Sequence, residues 1–120
     1  MNSAKHLAQG DAVLAGMRKL TVPADYLGIV DGAMIAACHF GNALLHAHGV
    51  SRESDDITRP SGLDRPIANL PEAIRAAFAA FAELEKLRFN YVRGAAVYKD
   101  GVGEAVWRNL DAMREACSAR

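Results

Sequence analysis

The chain has 120 residues, with 14 basic and 14 acidic side chains and a formal net charge of +0 at neutral pH. A single domain of this length can bury a core without needing a disulfide or a metal to fold. The balanced charge excludes a global field that would attract nucleic acid or an anionic membrane, so any such binding requires a local patch.

The cysteines and the apolar segments indicate the compartment. Cys38 and Cys117 lie in apolar helical patterns without a second Cys or His at zinc-finger spacing, so we expect reduced thiols. The N-terminus has no apolar run long enough for a signal peptide, and polar residues interrupt the longest apolar stretch. The sequence therefore predicts a cytoplasmic, bacterial protein without a membrane partner.

Two helices are predicted in the first half of the chain. The first covers residues 3–20, and the second covers residues 22–48, with Pro23 in its first turn and Gly49 as the C-terminal cap. Apolar residues of the second helix recur at spacings of three and four, which predicts the main core face. This face contains Tyr26, Val30, Ala33, Ala37, Phe40, Leu44 and Ala47.

A second face of the same helix carries small residues four positions apart. Gly28 and Gly32 lie on this face with Ile35, His39 and His46. Small side chains allow another backbone to approach closely. We therefore expect this face to be partly covered as well.

A polar connection and two more helices are predicted in the second half. Residues 50–69 hold charges, prolines and glycine without a clean period, and connections this long are often mobile or functional. The third helix, 70–93, is predicted to begin with Asn69 as N-cap and Glu72 three residues on. Its core face contains Ile74, Ala77, Phe81, Leu84, Arg88 and Tyr91.

The fourth helix, predicted at 103–118, completes the fold. Val106, Leu110, Met113 and Cys117 form its core face, and Trp107 lies beside them. No segment alternates β-branched with polar residues as a strand would. The sequence therefore predicts one all-α domain over residues 1–120, a four-helix up-and-down bundle.

Three of the four histidines, His39, His46 and His48, lie within ten positions. His39 and His46 would be about 10.5 Å apart along a helix, too far to share one zinc ion without interposed ligands. The i, i+4 histidine pair of helical zinc sites and the Glu-x-x-His motif of di-iron bundles are both absent. We expect no metal site, place His46 and His48 at the helix end facing the dipole, and keep His39 as the one candidate for chemistry.

Arg88 falls on an otherwise apolar stripe, where a guanidinium needs a partner to offset its desolvation. We predict that Asp31 on the second helix is this partner. The alternative is that Arg88 extends past Tyr91 to solvent at the end of the bundle.

Sequence motifs of nucleophilic catalysis and of phosphate-binding glycine loops are absent. A local basic cluster does exist, interleaved with aromatic residues that could stack on bases. It comprises Lys86, Arg88, Arg93 and Lys99, with Phe89, Tyr91 and Tyr98. Nucleic-acid binding therefore has some support, although a solvated helix end explains the same cluster.

Two segments resemble the HEPN superfamily, small helical bundles common in prokaryotic toxin, antitoxin and defence systems. The segment ADYLGIVDGAMIAACHFGNALLHAHGV is similar to the long second helix of that family. The segment LEKLRFNYVRG is similar to a late family motif, with Arg88 and Tyr91 in matching places and Asn90 where an acid is common. The resemblance covers about residues 24–118.

The resemblance implies the fold without the ribonuclease chemistry. Family members that cut RNA carry an arginine followed roughly four to six residues later by a histidine, and no arginine of this chain has a histidine at that distance. We therefore predict a non-catalytic accessory or antitoxin-like component without a cofactor. Homodimerisation is expected because family members commonly pair and because the third helix carries apolar residues on more than one face.

The predicted binding site is a groove formed by Arg88, Tyr91, Tyr26 and His39, for a protein partner or a nucleotide. An enzyme is the first alternative, with His39, Asp31 and Arg88 converging on a phosphoester. The second alternative is a small-ligand binder, which requires an apolar cavity beneath Tyr26, Phe40 and Trp107.

Overall fold

The computed structural model describes residues 1–118, and within that range it contains four α-helices and no strand. They are α1 (Ser3–Met17), α2 (Tyr26–Ala47), α3 (Glu72–Arg88) and α4 (Val102–Ser118). A π-helical turn, Phe89–Arg93, extends α3 directly. The predicted all-α four-helix bundle is confirmed.

Helix α2 is the central element and packs against the three other helices. Its N-terminal half meets the C-terminal end of α1, where Met17 lies against Gly32, and the C-terminal end of α3, where Arg88 meets Asp31. Both neighbours are therefore antiparallel to α2. Helix α4 runs parallel to α2, which completes the up-and-down order.

The core lies on the faces that the spacing of apolar residues predicts. Phe40, Phe78 and Phe81 are fully buried, and each such side chain contributes roughly 2–3 kcal/mol of hydrophobic stabilisation. Most predicted core residues are buried, namely Val30, Ala33, Ala37, Phe40, Leu44, Ile74, Ala77, Phe81, Leu84, Val106, Leu110, Met113 and Cys117. Ala47, predicted on the core face, is exposed.

Helix α1 covers the second face of α2, as the small residues predict. A Cβ atom at Gly32 would lie 3.0 Å from Cγ of Met17, and one at Gly10 of α1 would lie 2.6 Å from the ring of Phe40. Neither position has room for a larger side chain without a shift of its neighbour. The two glycines therefore set how closely α1 approaches α2.

The ends of the first two helices differ from the prediction. Helix α1 ends at Met17 rather than at residue 20, and α2 begins at Tyr26 rather than at residue 22. Residues 21–25 form a turn in which the Asp25 carboxylate accepts a hydrogen bond from the Thr21 backbone N–H at 3.0 Å, so Pro23 precedes the helix. At the other end Gly49 ends α2 as predicted, with a φ of 69°.

The predicted cap of α3 is wrong. Asn69 belongs to a short 3-10 turn, Ile67–Asn69, and the residue that precedes the helix is Pro71. A proline disfavours helical geometry in the residue before it, and Leu70 is accordingly extended with a ψ of 159°. This extended residue separates Asn69 from the first turn of α3.

Helix α2 is long and apolar enough to cross a membrane, with a mean hydropathy of 1.3 over its most apolar stretch. In the bundle 61% of that stretch is buried by the other elements. The core helix of a globular protein has the same character, so this helix alone is not evidence of a membrane span.

Candidate functional site

Two polar regions flank α2, and the first is an open cavity of about 510 Å³, here called the arginine groove. The C-terminal part of α3 and its π turn form one side, α2 forms the other, and the connection between them closes one end. Its lining residues are Asp31, Met34, Ile35, Cys38, Thr58, Arg59, Glu85, Arg88, Phe89 and Arg93.

The ion pair predicted from the sequence lies in this groove. The Nε–H of Arg88 donates to Oδ1 of Asp31 at 2.8 Å, and both side chains are partly exposed. A carboxylate across the groove, Glu85, accepts a hydrogen bond from the Ser61 hydroxyl at 2.7 Å. The two acids of the groove are thus already engaged with groups of the chain itself.

Two other guanidinium groups of the groove have no such partner. Within residues 1–118, neither Arg59 nor Arg93 forms an ion pair with a carboxylate. Three cationic and two anionic side chains therefore line the groove, and its unpaired charge is positive. Guanidinium groups suit phosphate and carboxylate because they donate two parallel hydrogen bonds.

Apolar surface lies next to these charges. Phe89 is 66% exposed and Ile35 is 49% exposed, so both side chains present apolar surface in the lining of the groove. Phe89 opens the π turn, and such turns occur frequently at functional sites. The groove can therefore contact both a flat apolar group and an anion.

Cys38 also lines the groove, but its thiol is a poor nucleophile at neutral pH. Burial raises the pKa of Cys38 to about 11, Arg88 opposes this rise, and Glu85 adds to it. The thiol donates a hydrogen bond to the Thr58 carbonyl. A thiol with so high a pKa is almost entirely protonated at neutral pH.

Of the predicted groove residues, only Arg88 lines this cavity. Tyr26 and Tyr91 pack edge to face with ring centroids 6.5 Å apart, and Tyr98 lies 5.1 Å from Tyr26. These three rings form a separate aromatic contact. His39 lies in a different polar region, so the four residues do not form one site.

That second region is the histidine cluster, which consists of His6, His39, His46 and Asp56. Nε2 of His6 lies 3.1 Å and Nε2 of His46 lies 2.8 Å from the same oxygen, Oδ1 of Asp56. The remaining ring nitrogen of His6, Nδ1, lies 3.0 Å from Nδ1 of His39. One carboxylate and three imidazoles are therefore linked in a continuous network.

Two histidine side chains of the cluster are buried, whereas its carboxylate is partly exposed. The side chains of His6 and His46 are 3% and 2% exposed, whereas that of Asp56 is 41% exposed. Partial burial opposes ionisation of Asp56, but hydrogen bonds from His46 and His6 prevail and lower its pKa. Burial and the neighbouring His6 lower the pKa of His39, against the opposing effect of Asp56.

The fold explains how these distant residues meet. The antiparallel packing of α1 on α2 inserts His6 between His39 and His46, with its ring centroid 5.3 Å from each of theirs. The buried Asn42 side chain donates to the Ile57 carbonyl at 2.8 Å and accepts from the Ile57 N–H at 2.9 Å. These two hydrogen bonds hold the backbone of Ile57 in place, and so position the preceding residue, Asp56, beside the histidines.

This cluster is not among the sites that the sequence predicts. His46 does lie in the last turn of α2, as predicted, but its ring points inward and is bonded to Asp56. His6 and Asp56 were not recognised as partners because they come from other segments. The sequence feature that points to the cluster is a group of acids, which includes Asp56, soon after His39 and His46, two histidines on one helix face.

The two cavities give no support to either alternative function. Asp31 and Arg88 line the arginine groove, whereas His39 is bonded to His6 outside it. A second cavity lies beside the polar connection and is lined by Leu45 and Leu63. Neither cavity is lined by Tyr26, Phe40 or Trp107.

Comparison of the chain with family models, with curated proteins and with solved structures finds no match. The resemblance to the HEPN superfamily therefore stays a prediction.

Proposed function

We propose that this chain is a non-catalytic, HEPN-like binding module of the cytoplasm that takes a nucleotide in the arginine groove. Its role would be that of an accessory or antitoxin-like component. The observation that carries the proposal is the combination, in one cavity, of unpaired guanidinium groups with an exposed aromatic ring.

Size and charge support a nucleotide. A cavity of about 510 Å³ lies within the range of roughly 300–1,000 Å³ that small-molecule sites occupy. Arg59 and Arg93 approach the cavity from the connection and from the π turn, so a phosphate between them would contact two segments at once. Arg88 is held by Asp31 and would serve mainly to fix the wall between them.

Phe89 supports recognition of the base. Stacking of one base on an aromatic side chain contributes about 1–3 kcal/mol and requires no particular base. Its ring is exposed next to Arg93, so a nucleotide could place its base and its phosphate on neighbouring residues. The predicted mode of binding is therefore tolerant of the base and dependent on the phosphate.

The test is calorimetric titration of the full chain with AMP, adenosine and inorganic phosphate. We expect AMP to bind more tightly than either fragment, because only AMP uses both the arginines and the ring. Arg93→Ala should weaken AMP binding about tenfold, the loss of one charge-assisted interaction. Phe89→Ala should weaken AMP and adenosine binding but leave phosphate binding unchanged.

Arg52→Ala is the matched control. Arg52 is an exposed arginine of the polar connection, paired with Asp55 at 3.1 Å and absent from the groove, so the variant loses the same charge elsewhere. Its affinity for AMP should equal that of the original chain. Absence of AMP binding at millimolar concentration, or equal weakening in Arg52→Ala and Arg93→Ala, would overturn the proposal.

The expected homodimer stays a prediction. It rests on alanines and phenylalanines on more than one face of α3; Phe78 and Phe81 are buried within this chain, whereas Ala73, Ala76 and Ala79 are exposed. Native mass spectrometry would report the oligomeric state together with any retained protein partner or nucleotide.

A further inference from the structure

We propose that His6, His46 and Asp56 form a binding site for a divalent transition-metal ion of the zinc class. These three residues each offer one ligand atom, and all three atoms lie within 4.8 Å of one another. The proposal is independent of the nucleotide proposal, because none of these residues lines the arginine groove.

The donor set selects the class of ion. Two imidazole nitrogens and one carboxylate oxygen suit zinc and its first-row neighbours, whereas calcium and magnesium prefer oxygen ligands. Three protein ligands leave a fourth tetrahedral position open. The exposed side of the cluster, at Asp56, is where water can occupy that position.

The distances are close to those of a coordinated ion. Ligand atoms about 2.0–2.2 Å from a tetrahedral zinc are roughly 3.3–3.5 Å from one another. The two distances from Asp56 Oδ1, 3.1 Å to His6 and 2.8 Å to His46, are shorter by a few tenths of an ångström. An outward movement of Asp56, which lies on the exposed connection, would lengthen both distances toward those of a coordinated ion.

The second ring nitrogen of each ligand is already held, as metal-binding histidines require. Nδ1 of His46 lies 3.0 Å from the hydroxyl and 3.3 Å from the carbonyl oxygen of Ser51. A protonated Nδ1 donates a hydrogen bond to the carbonyl, and an unprotonated Nδ1 accepts one from the hydroxyl, so Ser51 satisfies either tautomer. Nε2 of His46 is therefore free to donate to Asp56 or to coordinate the ion through its lone pair.

His39 gives His6 the same freedom. With no ion, Nε2–H of His6 donates a hydrogen bond to Asp56, and Nδ1 of His6 accepts one from Nδ1–H of His39. With an ion on Nε2 of His6, the proton of His6 lies on Nδ1 and that of His39 on Nε2, so Nδ1–H of His6 donates a hydrogen bond to Nδ1 of His39. The role of His39 is thus to position His6, which explains a third histidine that is not itself a ligand.

An ion here would join three segments of the chain. His6 lies on α1, His46 on α2 and Asp56 on the connection that follows. A single ion would therefore hold together three segments that are far apart in the sequence. An ion that binds only the folded state adds to its stability by mass action. The ion is therefore expected to raise the melting temperature of the full chain.

The test uses the full chain without a histidine tag, stripped with a chelator and titrated with zinc chloride by calorimetry. We expect one zinc ion per chain. Substitution with cobalt should give the visible absorption of a tetrahedral site, and millimolar magnesium should not compete. Asp56→Asn should weaken zinc binding about a hundredfold or more, since loss even of an outer partner costs about 10- to 100-fold.

Matched variants separate coordination from folding. Asp56→Asn keeps a hydrogen-bonding side chain at a partly exposed position, so it should fold, as circular dichroism would verify. His46→Gln should weaken zinc binding to a similar degree. His48→Gln removes a histidine from the same helix end but outside the group of ligands, and should leave affinity within about twofold.

Two results would overturn the proposal. The first is that the original chain binds no stoichiometric zinc at a concentration of 100 micromolar or below, about the affinity of a weak site. The second is that a folded Asp56→Asn protein binds zinc as tightly as the original chain does.

Discussion

The histidine cluster and the arginine groove both use α2, but they differ in how completely their polar groups are paired. In the cluster, each buried ring nitrogen of His6 and His46 has a partner within the chain. In the groove, the Arg88–Asp31 pair stands beside two arginines with no carboxylate partner among residues 1–118.

The difference concerns what each region can accept. A network whose imidazoles and carboxylate are already paired with one another can admit only something small, such as a metal ion that takes the place of the N–H protons between them. An open groove with unpaired cations and an exposed ring can accept a larger anion from solvent. The buried imidazoles of the histidine cluster therefore favour coordination of a metal ion. The exposed guanidinium groups of the arginine groove favour recognition of an anionic ligand.

The largest expected effect is on the alkylation rate of Cys38. This rate tests whether the thiol is as desolvated as its raised pKa indicates. With a pKa of about 11, roughly one thiol in a thousand is ionised at pH 8. Alkylation of Cys38 by iodoacetamide should therefore be about a hundredfold slower than that of free cysteine, and should accelerate up to about pH 11. The rate would be measured by mass spectrometry in a Cys117→Ala background.

Arg88→Met sharpens the same measurement. The positive charge of Arg88 lowers the pKa of Cys38, so its removal should raise that pKa and slow alkylation further. Faster alkylation than in the original chain would mean that the substitution opens the groove rather than only removing a charge.

The second effect concerns the support of the histidine cluster. Asn42→Ala removes the hydrogen bonds that hold both backbone groups of Ile57, next to Asp56. We expect the free energy of unfolding to fall by about 2–3 kcal/mol, because two partly buried backbone groups lose their partners. Urea denaturation would measure this loss, and zinc affinity should fall more than AMP affinity does.

Asn109→Ala is the control for that substitution. The Asn109 side chain donates a single bond to the Ala105 carbonyl within its own helix. Its replacement should change stability by about 0.5 kcal/mol or less. Equal losses in the two variants would show that Asn42 has no special role in holding the connection.

The smallest effect is that of the ion pair in the groove. Asp31→Asn should lower the free energy of unfolding by about 0.5–1 kcal/mol, because a partly exposed pair contributes little. Arg88→Met should cost less in the Asp31→Asn protein than in the original chain, since the partner is already gone. Strictly additive losses in this double-mutant cycle would sink the idea that the pair contributes to stability.

Much of the fold could be predicted from residue spacing alone. The alternation of apolar residues every three and four positions located all four helices, and small residues such as Gly32 indicated a covered second face. Arg88 on an apolar stripe pointed to Asp31, and the pair is present. These features follow from the local spacing of apolar residues or from a single charged residue, Arg88, on an apolar face. Both can be read from the sequence without knowledge of the fold.

The histidine cluster could not be predicted in the same way. Its contacts join residue 6 to residues 39 and 56, and residue 46 to residue 56, so they depend on how α1 docks and how the connection folds. Residues 50–69 have no periodicity, and Asn42 rather than their own pattern fixes part of their path. The cap at Asn69 failed for a related reason, since the geometry of Leu70 before Pro71 overrode a local motif.

The close packing of α1 has a consequence for how the protein opens. Besides its contact with α2, this helix is attached to α4 by the partly exposed ion pair between Asp11 and Arg114, at 2.7 Å, and to the connection by the hydrogen bond between His6 and Asp56. We expect this terminal helix to open as a unit of sub-global unfolding, separate from the cooperative unit formed by α2, α3 and α4. Because α1 carries His6, each such excursion takes the cluster apart while the arginine groove stays assembled.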